Sequence, residues 1–185
     1  TSGYTNFAFN SIAIGPASGQ ANRGFQSVAI GFLAGNTSAS QSATNAIAIG
    51  SYSGQVDQSN AAIAIGFESG NIRQSNYSIS IGAEAGKTDQ AGYAIAIGNQ
   101  AGSNVQSGRG IAIGVQAGFD NQKVDSIAIG KGAGGSNQET KSIAIGYEAG
   151  YQNQENSVVA IGDQAGHLSQ RNQSVAIGSQ AGYSN

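Results

Sequence analysis

Small and β-branched residues alternate along this chain in short phrases, each closed by a glycine. Ser11-Ile12-Ala13-Ile14-Gly15 is followed by Ser27-Val28-Ala29-Ile30-Gly31, and the pattern runs on to Ser174-Val175-Ala176-Ile177-Gly178. Alternation with a period of two predicts a β-strand, and Ile and Val favour that pleated state. The closing glycines are Gly15, Gly31, Gly50, Gly66, Gly82, Gly98, Gly114, Gly130, Gly146, Gly162 and Gly178. Their spacing is 16 residues throughout, except for 19 between Gly31 and Gly50, where three extra residues fall near 36–45.

A second glycine follows four residues after each first one. Gly19, Gly70, Gly102 and Gly150 are examples, and with Gly15, Gly66, Gly98 and Gly146 they are the predicted turn glycines. Only glycine takes left-handed and other positive-φ conformations at little cost, so two per repeat mark two corners. Polar residues fill the remainder, with room for a second, outer strand.

A unit of 16 residues is too short for a helical hairpin repeat, which needs ~33 or more. One such unit cannot bury its own apolar face. Stacked as successive coils, the units place strands in parallel register ~4.8 Å apart. The predicted fold is therefore all-β: a parallel β-solenoid of 16-residue coils. Residues 1–185 read as one array of eleven coils, roughly 50 Å long, with both ends falling inside a repeat.

Glutamine recurs at one repeat position: Gln58, Gln74, Gln90, Gln106, Gln122, Gln138, Gln154 and Gln170. Amides stacked one coil apart can hydrogen-bond along the rod, as in stacked Asn and Gln ladders, so a structural ladder is expected here. Arg23 interrupts the column in the first coil.

The predicted strand core is Ile12, Ile14, Val28, Ile30, Ile63, Ile65, Ile95, Ile97, Ile127, Ile129, Ile143 and Ile145. The opposite strand face carries Ser, Ala or Gly, with Val158 the one bulky exception. No strand phrase contains a charge, which suggests burial on both faces. Outer segments such as "YQNQENS" are too polar to cover either one. The simplest cover is another copy of the chain, giving a parallel cyclic homo-oligomer. Ile inside its own coil and Ile between chains both satisfy this argument, and the sequence leaves that choice open.

Composition narrows function. Charged residues make up 10 % and net charge is −2, with the eight Lys and Arg scattered. A nucleic-acid partner would call for a clustered basic face. The chain has no Cys, hence no disulfide framework. No apolar run approaches the ~18 residues of a membrane span. The opening "TSGYTNFAFN" lacks a Met and a basic stretch, as in an excised or processed fragment.

The phrases "NSIAIG", "QSVAIG", "DSIAIG" and "KSIAIG", each followed by "xxAG" in register, resemble the YadA-like head repeats of trimeric autotransporter adhesins. The resemblance covers essentially the whole chain. It implies a left-handed parallel β-roll, three chains per head, and the Ile-Ala-Ile strand on the inner side of the trimer. It also implies a non-enzymatic, extracellular cell-surface protein that attaches to a host matrix protein, a surface glycan or an abiotic surface. Many heads of that family have somewhat shorter repeats, and no neck, stalk or anchor accompanies this segment. Similar repeats occur in viral and phage fibres, so a spacer segment of a virion fibre is the alternative expectation.

No position offers clear chemistry. "GKGAGG", Gly130 to Gly135, lacks the Lys-Ser/Thr ending and following helix of a phosphate loop. His167 is the only histidine and occupies a column shared with Phe119, Tyr151 and Tyr183, so no metal site or catalytic triad is expected. Glu68 and Glu84 fall one coil apart, but Gln100 and Gln116 occupy the same column, which makes an acid optional. Six Thr form no column, against ice binding. No cofactor is expected. Phe119, Tyr147, Tyr151 and Tyr183 are the candidate surface contacts, since outward aromatics on a polar rod serve adhesion. "NTS", "NYS" and "NQS" are glycosylation sequons.

Overall fold

The computed structural model describes residues 10–20, 25–36 and 43–184. Arg23 and most of the predicted insertion lie outside them. Eighteen strands of three residues build two parallel sheets. One sheet has eleven strands, from Ile12–Ile14 to Val175–Ile177, in chain order. The other has seven, from Ile72–Gln74 to Leu168–Gln170. From the coil of Ile63–Ile65 to that of Val159–Ile161, each gives one strand to each sheet, which makes the molecule a parallel β-solenoid. Register is locked by the repeat: Ile111, Ala112 and Ile113 pair with Ile95, Ala96 and Ile97 on one side. On the other side they pair with Ile127, Ala128 and Ile129.

The core is alanine, not isoleucine. Ala96, Ala112, Ala128 and Ala144 at mid-strand and Ala85, Ala101, Ala117 and Ala133 at the first corner form one continuous buried cluster. The predicted core residues Ile12, Ile14, Val28, Ile30, Ile63, Ile65, Ile95, Ile97, Ile127, Ile129, Ile143 and Ile145 are half-buried or exposed instead. The cause is the width of the coil. A Cβ placed on Gly118 would already lie 3.2 Å from the Ala112 Cβ across the interior. Walls this close at mid-strand admit Ala and Ser, and they leave no room for a branched side chain at that position.

Left-handed backbone recurs at fixed places in the coil, and not only at glycine. Between Gly98 and Gly114, positive φ occurs at Gln100 (56°), Gly102 (52°), Val105 (54°) and Arg109 (60°). Each such non-glycine residue costs roughly 1–2 kcal/mol. Hydrogen bonding supplies the compensation. The Gln100 N–H donates back to Ala83 at 2.9 Å and that of Arg109 to Gly92 at 3.2 Å. Neighbouring N–H groups donate forward, Gly102 to Ala117 and Ser107 to Gln122. The left-handed non-glycine residues turn their N–H groups toward the preceding coil, so turns as well as strands bond to both neighbours.

The strand-closing glycine is required twice over. Gly98 has φ 128°, and a Cβ there would sit 2.6 Å from the backbone oxygen of Gly114 in the next coil. Backbone cannot yield as a flexible side chain can.

Candidate functional site

The glutamine column runs through the interior. Gln74, Gln90, Gln106, Gln122 and Gln138 are fully buried. Nε2 of Gln58 donates to Oε1 of Gln74 at 3.1 Å, Gln74 to Gln90 at 3.2 Å, and Gln90 to Gln106 at 3.1 Å. The chain continues from Gln106 to Gln122 at 3.0 Å and from Gln122 to Gln138 at 3.3 Å. Each amide also donates to a strand carbonyl of its own coil wall, as Gln106 does to Ile95 at 2.9 Å. From Gln58 to Gln138 this column is internal. The second glycine makes room for it: a Cβ on Gly102 would lie 2.7 Å from Gln106 Oε1. Beyond Gln138 the ladder stops. Both amide atoms of Gln154 are buried without a partner, and Gln170 bonds to the Gly182 carbonyl instead.

The outer face of the eleven-stranded sheet is apolar. Two parallel columns of Ile and Val run its length. Ile97 and Ile113, in mid-array, are each 36 % exposed, and Val175 and Ile177 reach 65 %. Phe32, Phe67, Val115 and Tyr147, directly after the closing glycines, are also exposed and widen the stripe. Phe32, Tyr52 and Phe67 meet edge to face, with ring centroids 5.3 and 6.2 Å apart.

Several charged groups pair between coils. Arg73 chelates Asp89, and Arg109 chelates Asp125, in each case one coil on. Hydrogen bonds from these guanidinium groups hold both carboxyls below their ordinary range. Lys87 Nζ lies 2.6 Å from Glu68 and 3.4 Å from Glu84. Those hydrogen bonds, the one from Glu68 foremost, raise the Lys87 pKa. The two glutamates thus form an ion cluster around Lys87, with no free carboxylate pair.

Of the aromatic candidates, Tyr151 and Tyr183 stack on the two faces of His167, with centroids 5.3 and 4.8 Å away. Glu148 accepts from Gln164 Nε2 at 3.0 Å, and His167 Nε2 lies 3.4 Å from the same carboxylate. The Gln164 bond, then that from the Tyr147 hydroxyl, keeps the Glu148 carboxyl acidic. Lys131 Nζ sits 5.6 Å over the Tyr147 ring. Phe119 is half-buried and separated from this stack by Gly135. "GKGAGG" has a packing explanation: a Cβ on Gly135 would lie 2.8 Å from the Tyr151 ring, so glycine leaves that ring its place.

An open groove of about 500 Å³ lies between Asn137, Glu139, Asn153, Glu155, Ser169 and Arg171. Among the described residues, no group of three or more His, Cys, Asp or Glu is placed to hold a metal ion. No helix among them is long and apolar enough to cross a membrane.

Compared with known proteins, the chain matches no family model, no curated protein and no solved structure. What the geometry defines is the class: a β-solenoid repeat protein with an alanine–glutamine interior and an apolar outer ridge.

Proposed function

We propose that this chain is a non-enzymatic extracellular adhesin head or fibre segment, assembled as a parallel homotrimer of left-handed β-rolls. The carrying observation is the uncovered Ile and Val ridge along the eleven-stranded sheet. A ridge of this length on a polar rod favours burial against another surface. A second copy matches it coil for coil, because every copy repeats the same spacing. Three ridges meeting at one axis would leave the polar seven-stranded sheets outside. Attachment to a matrix protein or surface glycan would then use outward aromatics away from the ridge such as Tyr183, repeated contacts adding up through multivalency. A spacer role in a viral or phage fibre is the second reading, favoured by the regularity of the seven-stranded sheet.

Solution mass over a range of concentrations tests the assembly. Three chains of 18.5 kDa give roughly 55 kDa. Lysine in place of Ile97 and Ile113 should convert the trimer to a folded monomer, because neither side chain belongs to the core. A wild-type chain that stays monomeric at high concentration would sink the assembly. Binding of the trimer to immobilised matrix proteins and glycans separates head from spacer.

A further inference from the structure

Two sequons lie at the same repeat position, on the turn between the seven-stranded and eleven-stranded sheets. They are Asn76-Tyr77-Ser78 and Asn172-Gln173-Ser174. Both asparagines are exposed. In each, the amide oxygen is engaged, and the amide nitrogen donates to no group among the described residues. Asn76 Oδ1 accepts the Asn60 backbone N–H at 3.0 Å, and Asn172 Oδ1 accepts that of Asn156 at 2.9 Å. We propose that Asn76 and Asn172 are acceptor sites for asparagine-linked glycosylation, modified before the chain folds.

Substitution at Nδ2 leaves the oxygen free to keep its inter-coil hydrogen bond, so a glycan is compatible with the finished coil. The order of events follows from the serines. Ser78 is fully buried and its hydroxyl donates to the Ser75 carbonyl at 2.6 Å. Ser174 is half-buried and donates to Gln170 Oε1 at 3.2 Å. A transferase that must engage the sequon hydroxyl can do so only in the extended, unfolded chain. The sugar donor is an oligosaccharide on a polyprenyl diphosphate. The Nδ2–C1 bond forms, the C1–O bond to the diphosphate breaks, the lipid diphosphate leaves, and Nδ2 gives its proton to solvent. Asn60 and Asn156 occupy the same position without a following sequon Ser or Thr, and so are internal controls. The two sites lie six coils apart on one line, roughly 30 Å.

The test is translation of the full chain into microsomes that carry oligosaccharyltransferase, with Asn36→Gln present to remove the third sequon. Success there depends on the acceptor sites and not on where the protein resides, so failure of this proposal and of the extracellular reading are distinguishable. Two glycans are expected, one fewer with Asn76→Gln or with Asn172→Gln, and none with both. Ser78→Thr should retain the glycan on Asn76 and Ser78→Ala should lose it. Chain folded first and then given purified transferase and donor should remain unmodified. Absence of glycan at both sites in the nascent chain would overturn the proposal. So would rapid modification of the folded chain, or loss of β-structure in the glycosylated product.

Discussion

Val158 stands where the other coils place Ser, Ala or Gly, and Gln154, four residues before it, is the one ladder glutamine with both amide atoms unpartnered. In intact coils the glutamine amide donates to the carbonyl of that same small residue, as Gln106 does to Gly110 at 3.1 Å and Gln138 to Ser142 at 3.1 Å. Val158 is completely buried, and its extra methyls occupy the narrow interior the amide would use. Displaced, the amide of Gln154 lies closer over Gly150 than its counterparts do over theirs: a Cβ on Gly150 would meet Nε2 at 2.1 Å, against 2.7 Å from Gly102 to Gln106 Oε1. Val158→Ser should restore the ladder. Two satisfied buried atoms contribute roughly 1–3 kcal/mol, against a loss of about 1.5–3 kcal/mol of apolar burial. The two nearly cancel in stability, so the readout is amide exchange, which should slow around Gln154. Unchanged exchange there would show that volume is not the cause.

Gln106 lies at the centre of the intact ladder. Gln106→Ala strands the Gln90 donor and the Gln122 acceptor and leaves a cavity, and should cost about 2–4 kcal/mol in chemical denaturation. Gln100→Ala, on the surface one turn away, should stay within about 0.5 kcal/mol.

Glycines divide into two kinds. Gly98→Ala combines φ 128° with a Cβ 2.6 Å from backbone, and should destabilise by several kcal/mol or block folding. Gly92 has no positive φ, and its Cβ would meet only the Asn76 carbonyl at 3.4 Å. Gly92→Ala should be neutral or stabilising by up to about 1 kcal/mol. Thermal melts of the two variants should move in opposite directions.

Val105 is a β-branched residue at a left-handed position, φ 54°, with its side chain 43 % exposed. Asn121, Asn137 and Asn153 hold the same place in later coils, and asparagine tolerates that conformation. Val105→Asn should raise stability by about 1 kcal/mol, read from the denaturant midpoint at unchanged slope.

Acid should weaken the rod through Asp89, Asp125 and Glu148. Each is held below its ordinary value by hydrogen bonds from partners. Their contribution is complete above the unfolded carboxylate value of about 4 and is lost as pH falls through the lower folded values. Lys87, shifted upward, contributes fully below the unfolded lysine value and loses its effect as pH rises through the higher folded one. Exposure keeps these effects small. Melts of wild type and Asp89→Asn should differ near neutrality and converge toward about pH 2.

Much of this structure is legible in the repeat. A constant interval of 16 residues makes every coil equivalent, and equivalence forces in-register parallel stacking. The glutamine column, the paired glycines and the strand phrases all follow from that spacing. The ion cluster of Lys87 with Glu68 and Glu84 is less legible, because Lys87 belongs to a different repeat column from the two glutamates and only the corner geometry brings them together.

Which face turns inward was decided by tertiary structure alone. Period-two alternation assigns Ile97 and Ala96 to opposite faces, but both faces are uncharged, so pattern gives no direction. Coil closure does. A turn of 16 residues with a glutamine inside leaves space for alanine opposite it, and the isoleucines are driven to the outer face. The same closure imposes left-handed backbone on Val105 and Arg109, residue types that carry no such signal. Sequence by itself determined the coil, its register and its stacking, since those depend on periodicity. The alanine–glutamine core and the apolar ridge depend on interior volume, which exists only once the coil is closed.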